Sequence, residues 1–176
     1  MAYKILITGI AGSGKSTIIA ELRRRGRVAI DLDNSGACIW VNKKTGAGTT
    51  YREGAGREWI GNHRWQVVVP RLVALLDSLP DDKNIYIGGK IPSTQVKELS
   101  GIFDLVYLLG PYDETIRERL RARTNNASNF AKSDEEIETI LRNRHGFEKA
   151  CLECGAYPML NGGTAEELVE RLCKNN

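Results

Sequence analysis

The sequence predicts an α/β fold of three layers, built around a five-stranded parallel sheet in the order 2-3-1-4-5. Short apolar runs typical of buried strands alternate with helical patterns along the 176 residues. A glycine-rich turn joins the first run directly to the first helix. The runs lie at residues 5–8, 28–32, 85–88, 105–109 and 157–160. We therefore expect a single domain over residues 1–176, long enough to bury a substantial core.

Composition and charge are ordinary for a globular protein, with 41% hydrophobic residues, 27% charged residues and a net charge of +3. This charge is too mild to predict nucleic-acid binding. No apolar stretch approaches the roughly 20 residues that a membrane helix needs. The first strand begins at Tyr3 and leaves no room for a signal peptide, so we expect the protein in the cytoplasm. We further expect a monomer without a membrane or nucleic-acid partner.

The most informative motif is a phosphate-binding loop, Gly-x-x-x-x-Gly-Lys-Ser, at residues 9–16. Its place between a strand and a helix directs backbone N–H groups and the positive end of the helix dipole towards an anion. Lys15 supplies a charge for the outer phosphates, and the Ser16 hydroxyl is a ligand for Mg²⁺. The motif predicts binding of a nucleoside triphosphate through Gly9, Ala11, Gly12, Ser13, Gly14, Lys15, Ser16 and Thr17.

An acidic pair, Asp31 and Asp33, closes the second predicted strand. Alternation along a strand places both carboxylates on one face, and ligands of open α/β sheets bind beyond the carboxyl ends of the strands. Asp33 is therefore a candidate Mg²⁺ ligand, through water, and a candidate acceptor of a proton from an attacking hydroxyl. The alternative is a turn or cap role, since Asn34-Ser-Gly36 is a turn sequence.

The third predicted strand ends in Gly88 and Gly89, followed by Lys90, where many P-loop ATPases carry a Walker-B aspartate. The missing acid disfavours motor-type ATPases and gives Asp31 and Asp33 more weight. GTPases need an Asn-Lys-x-Asp motif, which the sequence Asn-Lys-Lys-Thr at residues 42–45 lacks. The two glycines either let an acceptor approach the backbone or form an ordinary turn.

The insert between the second and third predicted strands, residues 34–80, is unusually long. Residues 38–51 predict a β-hairpin with a turn rich in lysine and glycine. Apolar spacing over residues 59–67 predicts a helix, Pro70 a break, and residues 72–79 a second helix.

The insert is the expected binding site for a small-molecule acceptor. Arg52, Trp59 and His63 are its candidate contacts, because a cation and aromatic platforms hold small polar rings. For Trp59 and His63, as for Trp65, a structural role is the alternative.

A helix predicted at residues 116–124 carries four arginines, which fall into two pairs at about 100° per residue. The pairs are Arg119 with Arg123, and Arg117 with Arg121. The first pair borders the buried stripe of the helix and reaches a cleft, whereas the second pair should face solvent. Guanidinium groups neutralise the charge of a transferred phosphoryl, so the first pair is the functional candidate.

The last third of the chain contains two capping boxes, Ser133 with Glu136 and Thr164 with Glu167, which predict helix starts. A single C-x-x-C pair, Cys151 and Cys154, falls late in the first helical pattern. Helix packing is the favoured role of this pair, and a metal or redox role is the alternative.

The chain resembles the nucleoside-monophosphate kinase group of P-loop proteins, adenylate kinase-like in particular. The resemblance covers the phosphate loop and the stretch from Leu105 to the C-terminus. It rests on Glu114-Thr115…Arg119-Leu120…Arg123, on Asp134–Ile137 with Arg142 and Arg144, and on Asn161-Gly162-Gly163-Thr164. It implies that Arg119, Asn161, Gly162 and Gly163 lie against adenine. It further implies that Arg123, with Arg142 or Arg144, contacts phosphates.

The sequence departs from that group in two respects. Gly14-Lys15-Ser16-Thr17 and Asp31-x-Asp33 look more like shikimate and gluconate kinases. The group's acceptor-binding Asp-Gly-x-Pro-Arg is replaced by Gly88-Gly-Lys-Ile-Pro92. The donor half of the chain is therefore familiar and the acceptor half is not.

The sequence thus predicts an ATP- and Mg²⁺-dependent phosphotransferase, with a lid at residues 124–133. A nucleoside monophosphate is the first expectation for the acceptor. One alternative is a small-metabolite kinase acting on a hydroxyl. The other is a nucleotide-switched assembly factor with weak ATPase activity.

Overall fold

The computed structural model describes residues 2–50, 56–122, 133–160 and 163–174, and within them every side chain except those at positions 56, 57 and 60. The main sheet consists of β1 (Lys4–Thr8), β2 (Val28–Asp31), β6 (Ile85–Gly88), β7 (Leu105–Leu109) and β8 (Tyr157–Met159). A smaller antiparallel sheet consists of β3 (Cys38–Asn42), β4 (Gly48–Thr49) and β5 (His63–Val67). The helices are α1 (Lys15–Arg24), α2 (Gly56–Asn62), α3 (Val69–Asp77), α4 (Val96–Ser100), α5 (Asp113–Arg121), α6 (Asp134–Arg142), α7 (Arg144–Glu153) and α8 (Ala165–Lys174).

The main sheet has the strand order β2-β6-β1-β7-β8, and all of its neighbouring strands are parallel. The predicted α/β class is confirmed. When only the five strands of the main sheet are numbered along the chain, their order is the predicted 2-3-1-4-5. The labels β6, β7 and β8 are higher because the insert contributes three strands of its own. Because β1 is central, the phosphate loop that follows it lies in the middle of the carboxyl edge of the sheet.

Helices cover both faces of this sheet. The side chains of β1 accordingly alternate between two separate apolar clusters. Ile5 and Ile7 belong to the cluster that contains the apolar stripes of α1 and α8. Leu6 belongs to the cluster formed with α3, α4, α5, α6 and α7. All three side chains are fully buried, as expected for a strand covered on both faces.

The insert departs from the sequence prediction in one element. The hairpin of β3 and β4 is as predicted, but the helix expected over residues 59–67 is wrong from position 63 onward. Its second half is β5, which pairs with β3 and sets Trp65 opposite Trp40. Such a cross-strand pair packs two large aromatic side chains, and this outweighs a helical spacing that is only local. Pro70 ends no helix and instead lies in the first turn of α3.

The two predicted capping boxes are present. The Ser133 hydroxyl accepts from the Glu136 amide while the Glu136 carboxylate accepts from the Ser133 amide. Thr164 and Glu167 make the same reciprocal pair. The single helical pattern that was expected to reach Cys151 is divided, because α6 and α7 are separate helices that meet at Asn143.

Two further expectations concern the lid and the membrane. Apart from Ser133, the lid predicted at residues 124–133 lies outside the described residues. Within the part of the chain that is described, no helix is both long and apolar enough to cross a membrane.

Candidate nucleotide and acceptor site

The phosphate loop has the backbone that its glycines predict. Gly12 and Gly14 adopt left-handed conformations, with φ of 81° and 94°, which side chains rarely tolerate. A Cβ atom at Gly12 would lie 3.0 Å from Leu120 Cγ, so α5 packs directly against the loop. Gly14 caps α1 without a side chain that could bond the first N–H groups, and Ser16 and Thr17 are exposed in the first turn. The loop therefore presents the positive end of a helix, as an anion site requires.

The Lys15 ammonium folds back over this loop. It donates to the carbonyl oxygens of Gly9 and Ile10, both at 2.9 Å, and to Ser13 Oγ at 3.3 Å. Lys15 is 9% exposed. A buried cation at the centre of a ring of backbone groups is positioned to bind phosphate oxygens.

The arginines of α5 divide nearly as the helical angles predict. Arg119 lies beside the phosphate loop, where its guanidinium donates to the Ser13 carbonyl at 3.4 Å. Arg121 is 57% exposed and pairs with Asp134 at 2.7 Å. Arg117 was expected to face solvent, but it is only 28% exposed because it binds a carboxylate of α6. Arg123 lies outside the described residues.

The two arginines expected from the helices after the lid differ in their surroundings. Arg144 is 18% exposed and bridges Asp113 at 2.5 Å and Glu148 at 2.6 Å, so it holds α7 against the start of α5. Arg142 is exposed at the end of α6. For both, phosphate contact stays a prediction, and in Arg144 it would compete with two carboxylates.

The expected adenine contacts are only partly described, since Asn161 and Gly162 lie outside the described residues. Gly163 precedes α8. A Cβ atom there would collide with the Glu167 carboxylate, which completes the capping box of that helix. A side chain at position 163 would require the Glu167 carboxylate to shift, and contact of Gly163 with adenine stays a prediction.

The acidic pair lies at the carboxyl edge of β2, but not on one strand face. β2 ends at Asp31, whose carboxylate accepts from the Asp33 amide at 3.0 Å and caps a short 3-10 turn over Leu32–Asn34. Asp31 therefore has the cap role that the sequence left open. Asp33 lies inside the turn and not on β2, and it is close enough to Lys15 for the two charges to interact.

The environment of Asp33 raises its pKa. Desolvation by burial is the largest cause, and the charge of Asp31 adds to it, even though Asp33 as a whole residue is exposed. The Lys15 charge, the Trp65 indole and the Lys90 amide act in the opposite direction. A carboxylate with a raised pKa beside a phosphate-binding lysine is a stronger base than an ordinary aspartate.

Two residues of this cluster were not among the predicted site residues. Lys90 follows β6 at the carboxyl edge, and desolvation lowers its pKa against the opposing charge of Asp33, although the residue as a whole is exposed. Trp65 belongs to β5, and its Nε1 atom is buried and makes no hydrogen bond with any described residue. No motif marks Lys90. Recognising residues 63–67 as a strand would have placed Trp65 opposite Trp40 in the smaller sheet.

Packing accounts for the two glycines at the end of the third main-sheet strand. A Cβ atom at Gly88 would collide with Ile19 of α1, and one at Gly89 would lie 2.6 Å from Leu32 Cβ. Both glycines are buried. The space beside them is filled by side chains of the core, and their role in acceptor binding stays a prediction.

Trp59 and His63 form a structural pair in the insert. Their rings stack with centroids 3.9 Å apart, and Trp59 also meets Trp40 edge-on at 5.2 Å. His63 Nδ1 donates to the Trp59 carbonyl at 2.7 Å, and Nε2 accepts from the Asn42 amide at 3.4 Å. Both ring nitrogens are thus engaged inside the insert, which favours the structural alternative for this pair. Arg52 lies outside the described residues.

The C-x-x-C pair is explained by packing. Burial raises the pKa of the Cys151 thiol to about 12, so the thiol stays protonated at neutral pH. Among the described residues, no group of three or more histidine, cysteine or acidic side chains is arranged to hold a metal ion. The lack of such a group among the described residues also limits the protein ligands that Mg²⁺ could have. A hydroxyl at Ser16 and one or two carboxylates fit a magnesium ion that takes its other ligands from phosphates and water.

Together, the strand order, the loop after the central strand and the helices on both faces define a P-loop kinase fold. No protein-family model matches the sequence, and no curated protein matches it significantly. Among solved structures, the chain is similar to shikimate kinase from Acinetobacter baumannii in complex with shikimate. The identity is 19% over 99% of this chain and 93% of that chain, with a TM-score of 0.66.

Two further solved kinases have the same architecture. Deoxyadenosine kinase from M. mycoides with bound dATP shares 14% identity over 98% of each chain, with a TM-score of 0.56. A sugar kinase from Janibacter sp. shares 16% identity over 99% of this chain and 94% of that chain, with a TM-score of 0.57. At these identities the likeness establishes the fold.

Proposed function

We propose that this protein is an ATP- and Mg²⁺-dependent phosphotransferase that moves the γ-phosphoryl group to a hydroxyl of a small acceptor. The observation that carries the proposal is Asp33, a carboxylate of raised pKa beside the phosphate-binding Lys15. A base is useful only where the acceptor has a proton to lose. Shikimate, deoxyadenosine and sugars all carry hydroxyl groups, so the named structural neighbours support the same chemistry.

In this proposal the residues divide into a donor side and an acceptor side. The loop amides and Lys15 hold the phosphates, and Arg119 lies at the outer wall of the loop. Ser16 would hold Mg²⁺, which offsets phosphate charge. Asp33 takes the hydroxyl proton while the acceptor oxygen bonds to the γ-phosphorus and the bond from that phosphorus to the bridging oxygen breaks. The products are ADP and the phosphorylated acceptor.

A nucleoside monophosphate is the second candidate acceptor, favoured by the Lys90 ammonium at the same edge of the sheet. At neutral pH its phosphate group is negatively charged and largely deprotonated, so a base has almost no proton to remove. The Asp31 and Asp33 carboxylates also repel a phosphate acceptor. We therefore place a hydroxyl acceptor ahead of it. The assembly-factor alternative predicts slow ATP hydrolysis that small acceptors do not stimulate.

The test is ADP formation across a panel of sugar acids, sugars, nucleosides and nucleoside monophosphates, with product identified by mass spectrometry. Asp33→Asn should lower acceptor phosphorylation by about 10²–10⁴-fold, the usual contribution of a general base. Calorimetry should show that this variant still binds ATP, since Lys15 and the loop amides are intact. Lys15→Ala should lower kcat by about 10²-fold or more, because its charge acts mainly in the transition state. Unchanged transfer in Asp33→Asn would reject the proposal.

A further inference from the structure

Trp65 is held in a fixed position against the main sheet. Two residues along the strand, Val67 is clamped by Gln95, whose side-chain oxygen accepts from the Val67 amide and whose side-chain nitrogen donates to the Val67 carbonyl, both at 2.9 Å. The next amide, at Val68, donates to the Ala37 carbonyl at 2.8 Å. On its other side, β5 pairs with β3. Trp65 therefore lies on a strand anchored at its end, and it packs against the core cluster that includes side chains of the main sheet.

The Trp65 indole N–H is a buried donor without a hydrogen bond among the described residues. Trp has one polar atom, which can only donate, and buried donors are nearly always paired. The indole acts on the Asp33 carboxylate as a hydrogen-bond donor and lowers its pKa, although the pair does not reach the geometry of a full hydrogen bond. A rotation of the Asp33 side chain would complete the bond, and Asp33 is exposed and has room to rotate.

The free energy of this rotation depends on the attraction between the Lys15 charge and the Asp33 carboxylate. With the phosphate loop in the present arrangement, the Lys15 charge attracts the Asp33 carboxylate. Phosphates bound in the loop would take up that charge and leave Asp33 to its remaining partners, Trp65 and the Lys90 amide. The carboxylate has two oxygens, so one can be held while the other faces the acceptor.

We propose that Trp65 is a positioning residue, whose indole N–H donates to one carboxylate oxygen of Asp33 once Mg·ATP fills the phosphate loop. The other oxygen then faces the acceptor hydroxyl. This inference rests on the proposed function, in which Asp33 takes that proton. It makes the insert a determinant of the catalytic rate, because Trp65 acts through Asp33 and does not touch the acceptor.

A kinetic comparison of two tryptophan variants tests the proposal. Trp65→Phe keeps an aromatic ring but loses the N–H together with the five-membered ring, so kcat should fall about 10-fold or more while the KM for acceptor and for ATP change little. Trp40→Phe is the matched control. Trp40 is the cross-strand partner of Trp65 and meets it edge-on at 5.4 Å, so it shares the packing but not the role. Equal kcat in the two variants would overturn the proposal.

An NMR experiment tests it without turnover. All three tryptophans of the chain, Trp40, Trp59 and Trp65, lie in the insert, so three indole ¹⁵N–¹H peaks can be assigned by Trp→Phe variants. Addition of Mg·AMPPNP should move the Trp65 peak downfield and slow its exchange with solvent. Asp33→Ala should abolish both effects. A Trp65 peak that responds equally in Asp33→Ala would overturn the proposal even if Trp65→Phe failed to fold.

The outcomes separate this inference from the function on which it rests. If Asp33→Asn keeps full transfer, the proposed function fails first. If Asp33→Asn loses transfer while Trp65→Phe behaves like Trp40→Phe, the function stands and only the positioning role of Trp65 is wrong.

Discussion

Gly88→Ala tests whether packing explains the glycine at the end of β6. The added Cβ would collide with Ile19 Cγ1 and lie 2.9 Å from Ile19 Cδ1. Ile19 is 1% exposed, so its side chain has no solvent into which it can move. Overpacking of this kind costs about 1–3 kcal/mol. Each kcal/mol lowers the Tm of a chain of this size by roughly 2–4 °C, so we expect a fall of roughly 2–12 °C.

Thermal unfolding followed by circular dichroism measures this fall, and Gly146→Ala is the matched control. Within the described residues, no atom would lie within 4 Å of a Cβ at Gly146, which is inside α7. Alanine in a helix interior should stabilise by about 0.5–1 kcal/mol. In the double variant Gly88→Ala/Ile19→Ala, the new methyl group enters the space that Ile19 vacates, so the two losses should not add. Strict additivity, or a Gly88→Ala variant as stable as wild type, would refute the packing argument and favour acceptor contact.

Two other predictions concern charged residues. Arg119→Ala should raise the KM for ATP roughly tenfold, because Arg119 donates to the Ser13 carbonyl of the phosphate loop. Arg121→Ala should change it less than twofold or so, since an exposed ion pair contributes little; equal effects in steady-state kinetics would contradict this assignment. Hydrogen bonds from Arg24, at the end of α1, and from Arg25, which follows it, lower the pKa of Glu21 from 4.5 to about 2. Ionised Glu21 stabilises the fold fully above pH 4.5, and this stabilisation is lost as the pH falls towards 2. The Tm difference between wild type and Glu21→Gln should therefore shrink in that window. A difference that stays constant down to pH 2 would show that Glu21 acts through packing alone.

The donor half of the site could be predicted because its determinants are local. A glycine-rich loop, the strand before it and the helix after it occupy one continuous stretch, residues 4–24. The capping boxes at Ser133 and Thr164 are local in the same sense, since each is complete within four residues. In these segments the sequence pattern and the final hydrogen bonds involve the same residues.

The acceptor half could not be predicted in the same way because its determinants are distant in sequence. β5 exists by pairing with β3, and its end is clamped by Gln95, which lies 28 positions from Val67. The helical spacing over residues 59–67 is real, but it decides the structure only as far as Asn62. Lys90 belongs to the site because β6 lies between β2 and β1, a position that only the sheet order determines.

The Asp-x-Asp motif shows how the two halves combine. Its spacing indicated a shared strand face, yet Asp31 caps the turn and Asp33 alone enters the cleft. The groups that set the pKa of Asp33 come from the phosphate loop, from β5 and from the segment after β6. The same motif beside another insert would carry a different pKa and a differently oriented carboxylate. Trp65 of the insert is one of the groups that act on the pKa of Asp33, so in the proposed function a different insert would alter the strength of the base as well as the surroundings of the acceptor.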